Sequence, residues 1–173
     1  MNIKTEHLLL RPFVMSDAAK LAELIAEPKV MEMLEQPPWP YQLSDAKLWL
    51  AGLAGREQQN DAYKFAITHP SFGLIGSIGL QKKQAGILDL GYWVGKPYWG
   101  KGYASEAAAA LMDWAITELG VTELVSGYFE DNPASGAILR KLGFVSTGNA
   151  CNIENALRTE PIACLGMKWH NSA

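Results

Sequence analysis

Residues 88–119, LDLGYWVGKPYWGKGYASEAAAALMDWAITEL, decide how this chain is read. The stretch starts as an apolar, aromatic-rich strand, breaks at Gly95 and Pro97, and passes through Gly100-Lys101-Gly102 into a long alanine-rich helix. The first N–H groups of a helix lack intrahelical acceptors, and the helix dipole adds partial positive charge there. Glycines before such a start let a pyrophosphate approach the backbone without meeting a Cβ. The pattern therefore predicts a site for a phosphate-bearing cofactor. Two common versions fail. A dinucleotide fingerprint, G-x-G-x-x-G, is broken by Ser105. A P-loop needs its Lys after the second Gly, and Lys101 lies between the glycines.

Bulk properties frame that loop. The 173 residues fit one domain, 1–173, long enough to bury a core. Hydrophobic residues make up 49% and charged residues 19%, an ordinary balance for a folded globule. A net charge of −3 with scattered Lys and Arg argues against a nucleic-acid surface, which needs clustered cations. There is no long apolar span for a membrane, and Lys4, Glu6 and Arg11 spoil any signal-sequence pattern. With only Cys151 and Cys164 present, this points to the cytoplasm and to free thiols. A hairpin turning near 157–158 would still set those two thiols opposite each other. Neither has metal-ligand spacing and His7, His69 and His170 do not cluster, so no metal is expected.

Outward from the loop, the elements follow from periodicity and punctuation. Residues 7–13 read as a strand, and Ser16-Asp17 starts a helix with Ala18, Leu21, Leu24 and Ile25 on one face before Pro28 interrupts it. Residues 30–34 add a helical turn, and the prolines of QPPWPY (36–41) forbid regular structure. A helix starts at Ser44-Asp45 and runs to about 57. Strands at 63–68, 74–80 and 87–94, with turns near Pro70 and Ala85-Gly86, form an antiparallel meander. The helix 103–119 ends at Gly120. A strand at 122–129 follows, then a helix at 133–142 capped by Asn132 and ended by Gly143, then strands at 145–153 and 162–169. The order βααβββαβαββ predicts an α/β fold with a mixed, mostly antiparallel sheet of about seven strands flanked by helices.

W-G-K-G-Y-A after a GYWV strand resembles the acetyl-coenzyme A loop of the GNAT N-acetyltransferases, whose pattern is [QR]-x-x-G-x-[GA]. Gly102 and Ala104 fill the two small positions, and Trp99 stands where Arg or Gln is usual. This aromatic variant is similar to the branch of ribosomal-protein N-terminal acetyltransferases of the RimJ/RimL type. The segment NPASGAILRKLGF, 132–144, resembles the stretch that follows the fifth strand in these enzymes, and the resemblance covers essentially the whole chain. It implies the GNAT fold, splayed at the cofactor strand. It also implies acetyl-CoA as cosubstrate, held by Trp93, Val94, Trp99, Gly100, Lys101, Gly102, Tyr103, Ala104, Ser105 and Asn132.

The implied chemistry is acyl transfer from a thioester to a primary amine in a ternary complex. The amine must attack as the neutral base, so a carboxylate or relayed water takes its proton. Two carboxylates compete. Asp89 lies on the cofactor strand, and Glu154 is the one that an alignment with RimL-type enzymes favours. Many family members carry an acidic Tyr seven residues after the Asn, but here that position is Leu139; Ser135 is the replacement suggested by the RimL-type pattern. Trp39 and Tyr41 of QPPWPY fall where relatives form a substrate-side wall. The branch implies a peptide α-amine acceptor, with small-molecule amines as the alternative. A CoA-binding regulator without turnover and a nucleotide-binding interaction domain are the rivals from other classes. A monomer or homodimer is expected.

Overall fold

Three apolar central strands, β4 buried on both faces, set the frame: β3 (Ala62–His69), β4 (Gly73–Lys82) and β5 (Leu88–Val94) pair as the expected antiparallel meander. The computed structural model describes residues 1–35, 37–58, 62–83 and 86–171, and leaves the side chains of 54–58 undescribed. Gln36 of the proline segment and Ala85 of the expected turn lie outside the described residues. The meander is the middle of one eight-stranded sheet, ordered β1-β2-β3-β4-β5-β6-β8-β7. The remaining strands are β1 (Ile3–Lys4), β2 (Leu9–Arg11), β6 (Glu123–Phe129), β7 (Val145–Ile153) and β8 (Ile162–His170). Neighbours are antiparallel except β5 and β6. The strand beyond the expected seven is the two-residue β1.

Helices cover both faces. On one side lie α1 (Ala18–Ile25), α2 (Pro28–Met31) and α3 (Leu43–Gln58); on the other lie α4 (Tyr103–Leu119) and α5 (Pro133–Lys141). Helix α4 turns Ala107, Ala108, Leu111, Met112 and Ala115 to the sheet, and small residues let its axis come close. Gly120 closes it in the left-handed conformation, φ +65°. The fully buried centre comprises Leu10, Leu21, Ile67, Ile75, Ile78, Leu80, Leu90, Leu111 and Leu124. Among the described residues no helix is long and apolar enough to cross a membrane.

Two boundaries differ from the sequence expectation for identifiable reasons. The strand expected over 7–13 shrinks to Leu9–Arg11. Thr5 closes a turn with Leu8, its N–H donating to the Leu8 carbonyl at 3.0 Å, and Pro12 has no N–H to give. Pro28 does not break helical structure. It occupies the first turn of α2, where a missing N–H costs nothing, behind the Glu27 cap.

The far edge of the sheet is tied back to α2. In the β7–β8 connection, Asn155 is buried and its amide donates to the carbonyls of Met31 (2.9 Å) and Leu34. Arg158 donates to the Glu32 carbonyl (3.1 and 3.2 Å) and pairs with Asp131 (2.8 Å) at the β6–α5 turn. These bonds fix the 31–34 segment, whose Leu34 lines the cleft described next.

Candidate active site

The glycine loop has the geometry that phosphate binding requires. Gly100 and Gly102 sit at φ +73° and +82°, a region that L side chains avoid, and a Cβ added at either would meet no protein atom within 4 Å. The first α4 bond runs from the Glu106 N–H to the Gly102 carbonyl (2.9 Å), so the N–H groups of Tyr103, Ala104 and Ser105 lack helical acceptors. Glu106, in the same turn, points away: its carboxylate accepts from the His7 N–H (2.8 Å), the His7 ring (3.0 Å) and the Thr5 hydroxyl. Burial pushes this carboxyl up, but the bonds from Thr5 and His7 outweigh it and hold it below the usual range. The N-terminus of α4 thus keeps its own acid occupied elsewhere. Lys101 stands over the rings of Phe72 (5.5 Å) and Tyr98 (5.9 Å), a cation at the loop's surface.

Trp99 replaces the usual Arg or Gln with a different device. Its indole N–H donates to the Val94 carbonyl at 2.6 Å, pinning the loop to the end of β5 while the ring stays 45% exposed. The polar end of Trp99 therefore holds backbone.

Strands β5 and β6 pair only at Leu88–Leu124 and Asp89–Val125, then part. At the vertex the Ser126 hydroxyl donates to the Leu90 carbonyl (2.7 Å), a side chain replacing the next rung. Gly95 donates to Ile75 on the β4 side, so by alternation Tyr92 and Val94 present their main-chain groups to the gap. The Val94 carbonyl is the one that Trp99 takes. Across the gap, Asn132 caps α5, its side-chain oxygen accepting from the Ser135 N–H (3.2 Å); its amide N–H2 has no partner among the described residues. The Tyr92 hydroxyl lies 3.1 Å from both the Ser135 hydroxyl and the Ser135 carbonyl. Leu139, in the usual Tyr position, is fully buried in the core.

The opposite face of β5 borders a cleft. A cavity of about 450 Å³ is lined by Leu21, Ile25, Leu34, Pro37, Pro38, Tyr41, Asp45, Leu48, Trp49, Gly52 and Trp93. Successive β5 residues point to opposite helical layers, so Tyr92 meets α5 while Trp93 lines this cavity. Trp93, expected among the cofactor contacts, thus turns its side chain to the other side of the strand. Of the two aromatics expected here, Tyr41 is in the lining, its hydroxyl pushed up to about 12 by burial and by Asp45. Trp39 is not in the lining and is 39% exposed.

By the same alternation Asp89 belongs to the cleft face, at the vertex of the splay. It pairs with Lys83 at 3.1 Å. Burial raises its carboxyl above the ordinary value even though Lys83 and Lys64 pull the other way. Glu154, just past β7, is exposed and has no hydrogen-bond partner among the described residues. Cys151 and Cys164 are register partners, opposite each other as the hairpin argument anticipated, and both carry free thiols here. Burial pushes the Cys164 thiol up to about 11, with Cys151, Glu35 and Asp89 nearby adding to the shift.

A family model for the acetyltransferase (GNAT) domain matches residues 7–145. The chain belongs to the GNAT acetyltransferases. GNAT enzymes are acyltransferases that draw on acetyl-CoA, and the free-edged strand with its glycine loop fits that cosubstrate. A relative in Bacillus licheniformis named "Uncharacterized N-acetyltransferase p20" is 28% identical over 158 residues, covering 90% of this chain and 88% of the relative. The [ribosomal protein uS5]-alanine N-acetyltransferase of Escherichia coli is 24% identical, covering 87% and 81%. A solved RimL, a ribosomal L7/L12 α-N-protein acetyltransferase in complex with coenzyme A, shares the fold with a TM-score of 0.86 at 19% identity, covering 98% of each chain.

Within this GNAT fold, the residues that sequence reasoning missed are Tyr92, Lys83, Ser126, Trp49 and the pair Asn155–Arg158. For Tyr92 the signal was present: strand alternation after Asp89 places residue 92 opposite to 89 and 93. For the others, the partner is distant in sequence and no local pattern marks it.

Proposed function

We propose that this enzyme transfers the acetyl group of acetyl-CoA to a primary amine, the α-amine of a peptide N-terminus, by direct attack in a ternary complex. The observation that carries this reading is the two-sided β5. One side offers a free main-chain edge leading from the glycine loop, and the other floors a cleft sized for a single organic group. The pyrophosphate would rest on the N–H groups of residues 103–105, and the Gly102 backbone would let it come close. The pantetheine amides would pair with the open edge at Tyr92 and Val94 and with the Asn132 amide, as a peptide adds to a sheet edge. An arm entering at the loop end runs toward the vertex, beside Asp89 and Ser135.

At the vertex the chain's own groups divide the work. Asp89 takes the proton of the attacking amine, since burial makes its carboxylate more basic than an exposed one while Lys83 stays paired with it. Glu154 is the competing carboxylate, and its exposure supports Asp89 instead. Ser135 faces the leaving sulfur from the first turn of α5. Support for a peptide acceptor comes from the names of the uS5 and L7/L12 acetyltransferases above.

A second reading, a small-molecule amine, is favoured by the cavity itself: about 450 Å³ and mostly apolar, it has the size of a metabolite pocket. Thiol release from acetyl-CoA, measured against peptides with varied N-terminal residues and against free amino acids and polyamines, decides between them. Turnover of free amines with no peptide accepted would overturn the peptide reading. Tight acetyl-CoA binding with no acceptor at all would leave a CoA-binding regulator.

A further inference from the structure

The proton that must reach the departing sulfur needs a source behind the Ser135 hydroxyl. Leu139 is apolar and fully buried, so α5 offers no phenol from its own core-facing side. Among the described residues two phenols reach α5: that of Tyr128 from β6 packs on Gly136 and accepts from Arg140 at 3.4 Å, and that of Tyr92 comes from the facing strand β5 to Ser135. Tyr92 leaves β5 in the section where β6 has already parted from it, and its hydroxyl ends 3.1 Å from the Ser135 hydroxyl and 3.1 Å from the Ser135 carbonyl.

That geometry has three consequences. A carbonyl oxygen can only accept, so one of the two contacts orients the phenolic proton toward α5. Both distances exceed the usual O–H···O separation of about 2.7–2.8 Å, so the pair can tighten or exchange partners without moving backbone. When the phenol donates to the Ser135 oxygen instead, the serine's own proton is released to point into the splay, where the thioester arm runs. Burial and the resulting higher proton affinity keep the phenol protonated across the neutral range, as a donor must be.

We propose that Tyr92 supplies the proton for the departing CoA thiolate, passing it through the Ser135 hydroxyl. This rests on the acetyl-transfer reading above and extends it to a positioning and proton-supplying residue on the opposite strand. As the acyl C–S bond breaks, sulfur keeps the bonding pair and takes the Ser135 proton. Ser135 takes the phenolic proton of Tyr92, and the phenolate regains one from water. The amine's lost proton leaves through the base, so the sum is acetyl-CoA plus amine giving free CoA and amide.

Four proteins test it: wild type, Tyr92→Phe, Ser135→Ala and the double variant, with a good amine from the acceptor panel. We expect Tyr92→Phe to lower kcat about tenfold, less than the roughly hundredfold lower end for a group that meets the reacting atoms because Tyr92 acts through Ser135, with acetyl-CoA Kd within about twofold. The double variant should be no slower than Ser135→Ala, because both residues serve one transfer. Incorporation of 3,5-difluorotyrosine at position 92 keeps the ring and its packing but makes the phenol more acidic. It should move the alkaline fall of kcat to lower pH, which a packing role would not do. Wild-type kcat in Tyr92→Phe, a loss confined to Kd, multiplicative losses in the double variant, or an unmoved alkaline limb would each overturn the proposal. Wild-type protein that binds acetyl-CoA but turns over no amine would overturn the transfer reading and this proposal with it.

Discussion

The two sides of β5 are built by opposite means. The side proposed to take the cofactor is main chain: glycine φ values, orphan helix N–H groups and a strand edge left open by a two-rung ladder. The cleft side is side chains brought from α1, the 34–41 segment, α3 and β5 itself, with the β7–β8 hairpin anchored to α2 behind them. Backbone recognition depends on local conformation and tolerates side-chain change. Cleft recognition depends on which side chains converge, and can change while the fold stays fixed. Substitutions on each side should therefore fail in different observables.

The largest effect is expected at the vertex where the sides meet. Asp89→Asn keeps shape and removes the proposed base, and should lower kcat at neutral pH by about a hundredfold, the lower end of general-base contributions. Because the folded carboxyl lies above its ordinary value, wild-type activity should fall on acidification earlier than an exposed aspartate would dictate. Stability moves in the opposite sense. A carboxyl raised by folding stabilises the fold below its unfolded value, and that contribution disappears as pH rises through the folded value. Asp89→Asn should thus be relatively most stabilising above that window, a melting temperature measured against pH being the check. If Glu154→Gln loses the rate and Asp89→Asn keeps it, the base lies off the strand.

Next comes the cofactor side. Gly102→Val places a β-branched residue at φ +82°, a cost of about 2 kcal/mol from the left-handed conformation, equivalent to roughly thirtyfold. The open space around that Cβ means the protein itself does not clash, so the loss should appear in acetyl-CoA Kd. An acetyl-CoA melting shift equal to wild type's would break the main-chain account.

The cleft side should respond with the other signature. Trp93→Ala removes an aromatic face from the cavity wall while its backbone stays paired with Ser77 of β4. Losing about 1.5 kcal/mol of apolar contact should raise the KM for the amine roughly tenfold. Acetyl-CoA affinity should hold. A drop in that affinity instead would return Trp93 to the cofactor side, where the motif had placed it.

This division also explains what could be read from sequence. The glycine loop, the long helix and the Asn132 cap carry their physics within a few adjacent residues, so Gly100–Ser105 and Asn132 could be singled out from the chain alone. Strand alternation carried one step more information than was drawn from it, since it separates Trp93 from Tyr92. The cleft had no such code. Leu21, Tyr41, Trp49 and Trp93 meet only because α1 and α3 pack together over β3 and β4, and the Asn155 amide finds Met31 across 124 positions of chain. Trp39 shows the limit of proximity in sequence: two residues from Tyr41, it is outside the wall.

The smallest effect sharpens the comparison most, because it tests whether a side chain on the cofactor side acts only through backbone. Trp99→Phe keeps an aromatic ring but removes the indole N–H that the Val94 carbonyl accepts at 2.6 Å. With the ring 45% exposed, water can satisfy that carbonyl, so the loss should be near the value of an ordinary hydrogen bond, about 1 kcal/mol or roughly fivefold. It should appear in acetyl-CoA Kd, through a loosened loop, with amine KM unchanged. Trp99→Arg restores the residue type usual in the family and adds a cation at the loop. If Trp99 acts only as a backbone clasp, Arg should weaken binding at high salt, where its charge is screened, and regain affinity at low salt. An Arg variant that exceeds wild-type affinity at every ionic strength would mean that the phosphate contact outweighs the clasp, and that this loop is not held by its main chain alone.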